Sequence, residues 1–287
     1  MSLIAIDLDG TLINTEHKIS KENIKAIKKA QELGHEVVIA TGRAHFDVQS
    51  ILKEEGLSLY TVGANGATVH SPAGTSILSV PMQGDKVKEI LKVLDKENIY
   101  YEVYSDDGIY TRSYAKNILL DELASYKDNV PEDEFAFMEN QYEKQTGQFG
   151  YIYKEEHEEL YTDKQLVYNI NVFSFDNEKR LAVLEKFKNA NDLTIVQSLD
   201  FNFELEHVNA SKGKAITYLA KVLGMDIERS MAIGDSGNDI SMLGVVSDSF
   251  AMGNANDLVK AHAKYVTETN DKNGVAKAIY RYLDIEE

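Results

Sequence analysis

Four short stretches of this 287-residue chain carry residue types that can do chemistry together. They are Asp7 and Asp9 in IAIDLDGTL, Thr41-Gly42-Arg43, Lys212 in NASKGK, and Gly234-Asp235-Ser236 with Asn238-Asp239. Asp7, Asp9 and Asp235, if brought close, repel one another and require a cation. Hard oxygen ligands with no histidine or cysteine beside them suit Mg²⁺, which shares its shell with phosphate oxygens and water. A carboxylate can attack phosphorus to give an aspartyl phosphate. The Thr41 hydroxyl, the Lys212 ammonium and loop N–H groups can hold phosphoryl oxygens. A second carboxylate can protonate the leaving oxygen and later activate water.

Each stretch taken singly has an ordinary structural reading. Asp9-Gly10 between apolar residues is a hairpin-turn signal. Thr41-Gly42 can open a loop, Lys212 can be a surface lysine in a first helical turn, and GDSGND can be a turn with an Asx cap. Their joint placement favours chemistry. All four fall where a strand is expected to end, and open parallel sheets bind ligands beyond the carboxyl ends of their strands.

The elements that position them follow from periodicity. Leu3–Ile6 is a short apolar strand, and Ser20 caps a helix with Ile24, Ile27, Ala30 and Leu33 on one side, stopped by Gly34. EVVIATGR reads as a buried strand, Phe46–Glu55 as a helix, and Leu59–Val62 as a strand followed by the loop GANGATVH. Strands alternating with helices imply parallel pairing. The middle differs. Asp85–Glu97 is a helix, YYEVYSDDGIYTR a hairpin turning at Asp107-Gly108, LVYNINVFSF a strand and Asn177–Ala190 a helix. Residues 113–165 carry no assignable pattern, with KEEHEEL as a solvated helical face. From about residue 192 the alternation returns: FNFELEHV, the helix Lys212–Leu223, SMAIGDSGND, SFAMGNA, KYVTE and a closing helix Gly274–Leu283. The expected fold is α/β, a doubly wound parallel sheet over residues 1–82 and 191–287 carrying an α+β insertion at 83–190.

Composition narrows the function classes. With no cysteine, disulfides, zinc–thiolate sites and thiol nucleophiles are excluded. A formal charge of −17 opposes long-range attraction to nucleic acid or anionic membrane. The N-terminus lacks the basic and apolar regions of a leader, and no window approaches the roughly 18 apolar residues of a membrane helix. A cytoplasmic protein acting on a small phosphorylated molecule is expected. Oligomeric state is left open.

DLDGTL, TGR, SKG and GDSGND, in this order, resemble the four motifs of the haloacid dehalogenase superfamily. NGA at Asn65–Ala67, FELE before the lysine, AMGNA at 251–255 and the closing NGVAKAI extend the likeness to its Cof-type phosphatases, which carry a large α/β cap. The approach to the lysine, HVNASKG, departs from the Pro-Gly-Val type of relatives. The resemblance implies a Rossmann-like core, Asp7 as nucleophile and Asp9 as general acid/base. It implies Mg²⁺ bound by the Asp7 carboxylate, the Asp9 backbone carbonyl and Asp235. Thr41, Gly42, Lys212, Asn238 and the Leu8 amide would contact phosphate. Asp239 and Arg43 would stand behind these, Asp239 orienting the metal ligands or Lys212. The implied activity is hydrolysis of small phosphate monoesters such as sugar phosphates or a phosphorylated cofactor. A phosphomutase would use the same residues, and a non-enzymatic phospho-switch is a third reading. In the insertion, YSDDGIYT is a candidate substrate-facing element, unless Tyr104 and Tyr110 simply pack across the hairpin.

Overall fold

The computed structural model describes residues 1–147, 150–197 and 200–285. Along the chain the elements begin β1 (Leu3–Ile6), α1 (Lys21–Glu32), β2 (Glu36–Ala40), α2 (His45–Glu54), β3 (Tyr60–Gly63), β4 (Thr68–His70) and β5 (Ser76–Ser79). They continue with α3 (Gly84–Lys96), β6 (Tyr100–Ser105), β7 (Ile109–Arg112), α4 (Ala115–Tyr126), α5 (Glu132–Thr146), β8 (Tyr151–Lys154) and β9 (Val167–Phe173). Next come α6 (Asn177–Glu185), β10 (Leu193–Val196), β11 (Asn202–His207), α7 (Lys212–Val222) and β12 (Met231–Gly234). The last are α8 (Ile240–Leu243), β13 (Asp248–Ala251), α9 (Asp257–His262), β14 (Tyr265–Val266) and α10 (Gly274–Leu283). The chain forms two compact units, Met1–Val80 with the segment from Asn209 onward, and Pro81–Val208.

In the first unit the sheet runs β14-β13-β12-β1-β2-β3-β4-β5. Pairing is parallel from β14 to β3 and antiparallel through β4 and β5. The loop expected after β3, GANGATVH, therefore ends in a strand, β4, with β5 beyond it at the sheet edge. β1 shows why the parallel strands read as continuous apolar runs. Ile4 and Ile6 pack on the face that holds Ile27, Val275 and Ile279, while Leu3 and Ala5 pack on the face that holds Ile216 and Leu219. Both faces are covered, so no polar residue is tolerated until the strand ends. Ser20 caps α1 as expected, its Oγ accepting from Asn23 N at 3.1 Å.

The second unit has its own sheet, β10-β11-β9-β6-β7-β8, antiparallel except for β7 with β8. On one face Tyr101, Val103, Ile170, Val172, Phe203 and Leu205 pack with apolar residues of α3 and α6. On the other, Tyr100 and Phe173 pack with Leu119 and Leu123 of α4 and Met138 of α5.

Several expectations are corrected here. The expected return to the first unit at residue 191 falls at 209, because β10 and β11 pair with each other and β11 with β9 in the second sheet. The unassigned stretch 113–165 contains α4, α5 and β8, and KEEHEEL holds a single short turn, His157–Glu159, rather than a helix. The helix expected over Asn177–Ala190 ends at Glu185. In YSDDGIYT the register pairs Val103 with Tyr110 and Tyr104 with Ile109, so the two tyrosines are not cross-strand partners. Tyr104 donates to Glu102 and Tyr110 to Asp107, whose carboxylate also accepts from Ser105 at 2.6 Å. The hairpin tip fastens itself.

Candidate active site

β1 and β12 are parallel neighbours, with Ile6 opposite Ile233, so the residues that follow them emerge side by side. Asp7 extends the ladder by one bond, its N–H donating to Ile233 O at 3.0 Å. The chain then turns: Leu12 N donates to Asp7 O and Ile13 N to Leu8 O, with the Leu8 side chain fully buried below. Gly10 has φ +77°, and a Cβ there would lie 2.5 Å from Asp235 Oδ2. Only glycine combines that left-handed conformation with so close an approach. The DG pair is thus a turn, but one wrapped against an acid rather than the tip of a hairpin. Thr11 secures it by donating to Asp235 Oδ1 at 2.9 Å.

Asp239 sits one turn beyond β12. Its Oδ2 accepts from the backbone N–H of Asp235 and of Ser236, both at 2.9 Å. Gly234 makes room, since a Cβ there would stand 2.4 Å from Asp239 Cγ. Lys212 begins α7, after the cap Ser211, whose Oγ accepts from Lys214 N. Its buried ammonium donates to Asp7 Oδ1 and to Asp239 Oδ1, each at 2.7 Å.

The carboxylates of Asp7, Asp235 and Asp239 present oxygens within 4.8 Å of one another. Burial pushes the Asp7 carboxyl well above its ordinary value, and the charge of Asp239 adds to this; the Lys212 charge opposes it. Asp235 is raised for the same leading reason, with Asp239 again adding. Burial pulls Lys212 down, but Asp239 and Asp7 outweigh it and hold the ammonium above its ordinary value. The site is therefore a buried cation among acids that together exceed its charge. That imbalance suits a further cation.

Asp9 departs from the expected three-acid cluster. Its exposed carboxylate turns to Arg43, which donates from Nε and Nη2 to its two oxygens, both at 2.7 Å. Arg43 Nη1 donates to Asp47 at 2.6 Å. Burial works against the guanidinium charge, yet Asp9 and Asp47 hold it above its ordinary value. Among side-chain carboxylates it is Asp239, not Asp9, that stands with Asp7 and Asp235.

The remaining residues form an adjoining group. Thr41 follows β2 and accepts from Arg43 N, and Asn65 N donates to Thr41 O at 3.0 Å. Asn65 is left-handed, at φ 50°, and its Oδ1 accepts from Asn238 Nδ2 at 3.0 Å. A Cβ at Gly42 would meet that same Oδ1 at 3.1 Å. Asn238 Oδ1 is buried with no hydrogen-bond partner among the described residues. Sequence reasoning gave no chemical part to Thr11 or Asn65. The Asn-Gly dipeptide at 65–66 was the available signal for the second, since it marks a positive-φ turn.

A parallel sheet that gathers buried acids and a lysine at its carboxyl edge defines an α/β enzyme. The sequence model of the haloacid dehalogenase-like hydrolases matches residues 4–279. Phosphatase YwpJ of Bacillus subtilis is 42% identical over 285 residues, 99% of this chain and 100% of that one. The 5-amino-6-(5-phospho-D-ribitylamino)uracil phosphatase YwtE of the same organism is 37% identical, covering 99% and 98%. The pyridoxal phosphate phosphatase YbhA of Escherichia coli is 27% identical, covering 98% of each. A solved haloacid dehalogenase-like hydrolase from B. subtilis superposes with a TM-score of 0.86 at 42% identity, covering 97% of this chain and 99% of that one. The chain belongs to the haloacid dehalogenase-like hydrolases, among their Cof-type phosphatases.

Proposed function

We propose that this chain is a Mg²⁺-dependent phosphatase that hydrolyses small phosphate monoesters through an aspartyl phosphate on Asp7. The observation that carries the reading is the Lys212 ammonium bridging Asp7 and Asp239, with Asp235 completing a set of acids within 4.8 Å. Carboxylate oxygens unmixed with sulfur or imidazole fit a hard cation of the Mg²⁺ type. Asp7 and Asp235, with the Asp9 backbone carbonyl, are the residues that would hold it. Bound there, Mg²⁺ would offset the charge of the acids and of the phosphoryl oxygens, allowing two anions to meet.

The chain's own residues then divide the steps. An Asp7 carboxylate oxygen attacks phosphorus, and the bond from phosphorus to the ester oxygen breaks. Asp9, turned away from Arg43 and protonated, gives its proton to the departing alkoxide, which leaves as an alcohol. It then takes a proton from water, which attacks phosphorus and frees Asp7 with inorganic phosphate. Lys212, the Thr41 hydroxyl, Gly42, Asn238 and the Leu8 amide hold the phosphoryl oxygens. Asn238 Nδ2 is the end of its side-chain amide that faces Asn65.

In this reading the first unit is catalytic and the second, Pro81–Val208, is the cap that selects the leaving group. The activities for which YwtE and YbhA are named, on a phosphorylated ribityl compound and on pyridoxal phosphate, support sugar-like or cofactor-like monoesters as the substrate class. No described helix is long and apolar enough to cross a membrane. The test is Asp7→Asn. It should abolish Mg²⁺-dependent release of inorganic phosphate from p-nitrophenyl phosphate while the circular dichroism spectrum stays unchanged. Retained turnover would remove Asp7 as nucleophile, and isomerised product without free phosphate from a bisphosphate would make the enzyme a mutase.

A further inference from the structure

The segment AMGNA at 251–255 has no part in the chemistry described above, yet its asparagine reaches the catalytic turn. Asn254 Nδ2 donates to the Gly10 carbonyl at 2.8 Å. That carbonyl belongs to the peptide plane joining Gly10 to Thr11, and Thr11 Oγ1 is the group that donates to Asp235 Oδ1. On its other side Asn254 Oδ1 accepts from Asn270 N at 3.1 Å, which fixes which end of the amide faces Gly10. Asn270 in turn sends Nδ2 to Ile13 O at 3.0 Å. One residue further on, Asp271 Oδ1 accepts from both N and Oγ1 of Thr15, at 3.0 and 2.8 Å.

Loops from the far end of the chain therefore grip the first loop at Gly10, Ile13 and Thr15. Only the grip at Gly10 bears on an acid of the site. Gly10 is held at φ +77°, within 2.5 Å of Asp235 Oδ2 for any added Cβ, and glycine itself supplies no steric barrier to a flip of the plane. Something else must fix it. The donor from Asn254 does so, and a flip would break that bond and swing Thr11 away from Asp235.

We propose that Asn254 is a positioning residue of the reaction, locking the Gly10–Thr11 peptide plane so that Thr11 holds Asp235 in the orientation that completes the cation site. The inference rests on the phosphatase reading above. Asn254 is exposed, so its replacement leaves the core intact.

Two variants together isolate the effect: Asn254→Asp, which is isosteric but adds a charge, and Asn254→Ala, which adds none. The first keeps the acceptor for Asn270 N and replaces the donor to Gly10 O with a repelling oxygen. Mg²⁺ titrated calorimetrically into the resting protein should bind about five- to tenfold more weakly in Asn254→Asp, the scale of one hydrogen bond. For p-nitrophenyl phosphate, kcat at fixed Mg²⁺ should fall with KM little changed. Hydrogen exchange of residues 8–13 should quicken in both Asn254→Asp and Asn254→Ala, and the melting temperature should hold. Unchanged Mg²⁺ affinity and unchanged exchange at 8–13 would overturn the proposal. So would an affinity loss that merely follows a fall in melting temperature in both variants. Failure of the wild type itself to bind Mg²⁺ or release phosphate would instead strike the phosphatase reading.

Discussion

At the carboxyl edge of the first sheet, Asp7 and Asp239 accept from the ammonium of Lys212, with Asp235 beside them. On one face of the second sheet, Glu102 accepts from the phenols of Tyr100, Tyr104 and Tyr151, while Asn169 Nδ2 donates to Glu204 and Glu206. Both groups are buried acids, and burial raises the carboxyl pKa of Asp7 and of Glu102 alike. They differ in where they sit and in what answers them. The first lies on turns just past strand ends, where backbone N–H groups and a helix N-terminus are available and a ligand can approach. The second lies within strands, in register with neighbours, and at Glu102 it is answered by phenol donors, which compensate without a full opposite charge. A buried acid becomes a reaction site when its compensation is a movable or replaceable cation. It becomes framework when neutral hydrogen bonds in a sheet absorb it.

The comparison is open to breakage at both ends. The largest effect should come from Lys212→Met. It removes the cation between two buried carboxylates, and breaking such a buried pair costs about 3–5 kcal/mol of stability. Phosphate release should fall at least about 100-fold, the scale of losing a charge-stabilising donor. Denaturant melts and initial rates check both, and near-normal turnover would mean the lysine is framework too.

A second prediction concerns pH. Asp7 and Asp235 have raised pKa values in the folded state, so the folded protein binds more protons than the unfolded chain above pH about 4. Stability of the metal-free protein should therefore fall as pH rises from about 4 through those raised values. Glu102 contributes in the same direction. Mg²⁺ should restore only the share owed to the first group, so its effect on melting temperature should be larger at pH 7.5 than at pH 4.5. An equal effect at both would dissolve the distinction between the clusters.

The smallest effect should come from Glu102→Gln. Swapping one acceptor oxygen for an NH₂ beside three phenols should cost about 1–3 kcal/mol. Turnover of p-nitrophenyl phosphate should be retained. Collapse of kcat in a variant that melts normally would place Glu102 in the reaction.

Asp7, Asp235 and Asp239 were legible in the sequence, because they follow the apolar runs of β1 and β12, which pair in parallel. Lys212 was expected past a parallel strand too, but the strand before it, β11, belongs to the antiparallel second sheet. Which acids meet was not legible. Asp9 turns its carboxylate to Arg43 while Asp239 joins Asp7 and Asp235, and neither is a matter of spacing. The second sheet was harder. In α5 the buried positions include Gln141, Gln145 and Thr146 beside Met138, so no apolar stripe marks the helix. β11 carried an unused signal. Phe203 and Leu205 alternate with Asn202, Glu204 and Glu206, which suits an antiparallel sheet with one polar face rather than a parallel core strand. The alternation of helix and strand alone cannot say which sheet a strand joins, so the boundary was expected at 191 rather than at 209.

The central claim is that the acid beside Lys212 becomes covalently phosphorylated. Acid-quenching the enzyme during turnover with Mg²⁺, reducing it with borohydride and mapping the peptides tests this most directly, since an acyl phosphate is reduced to an alcohol. Homoserine is expected at position 7. Homoserine at another acid, or none while phosphate is released at the normal rate, would contradict the claim.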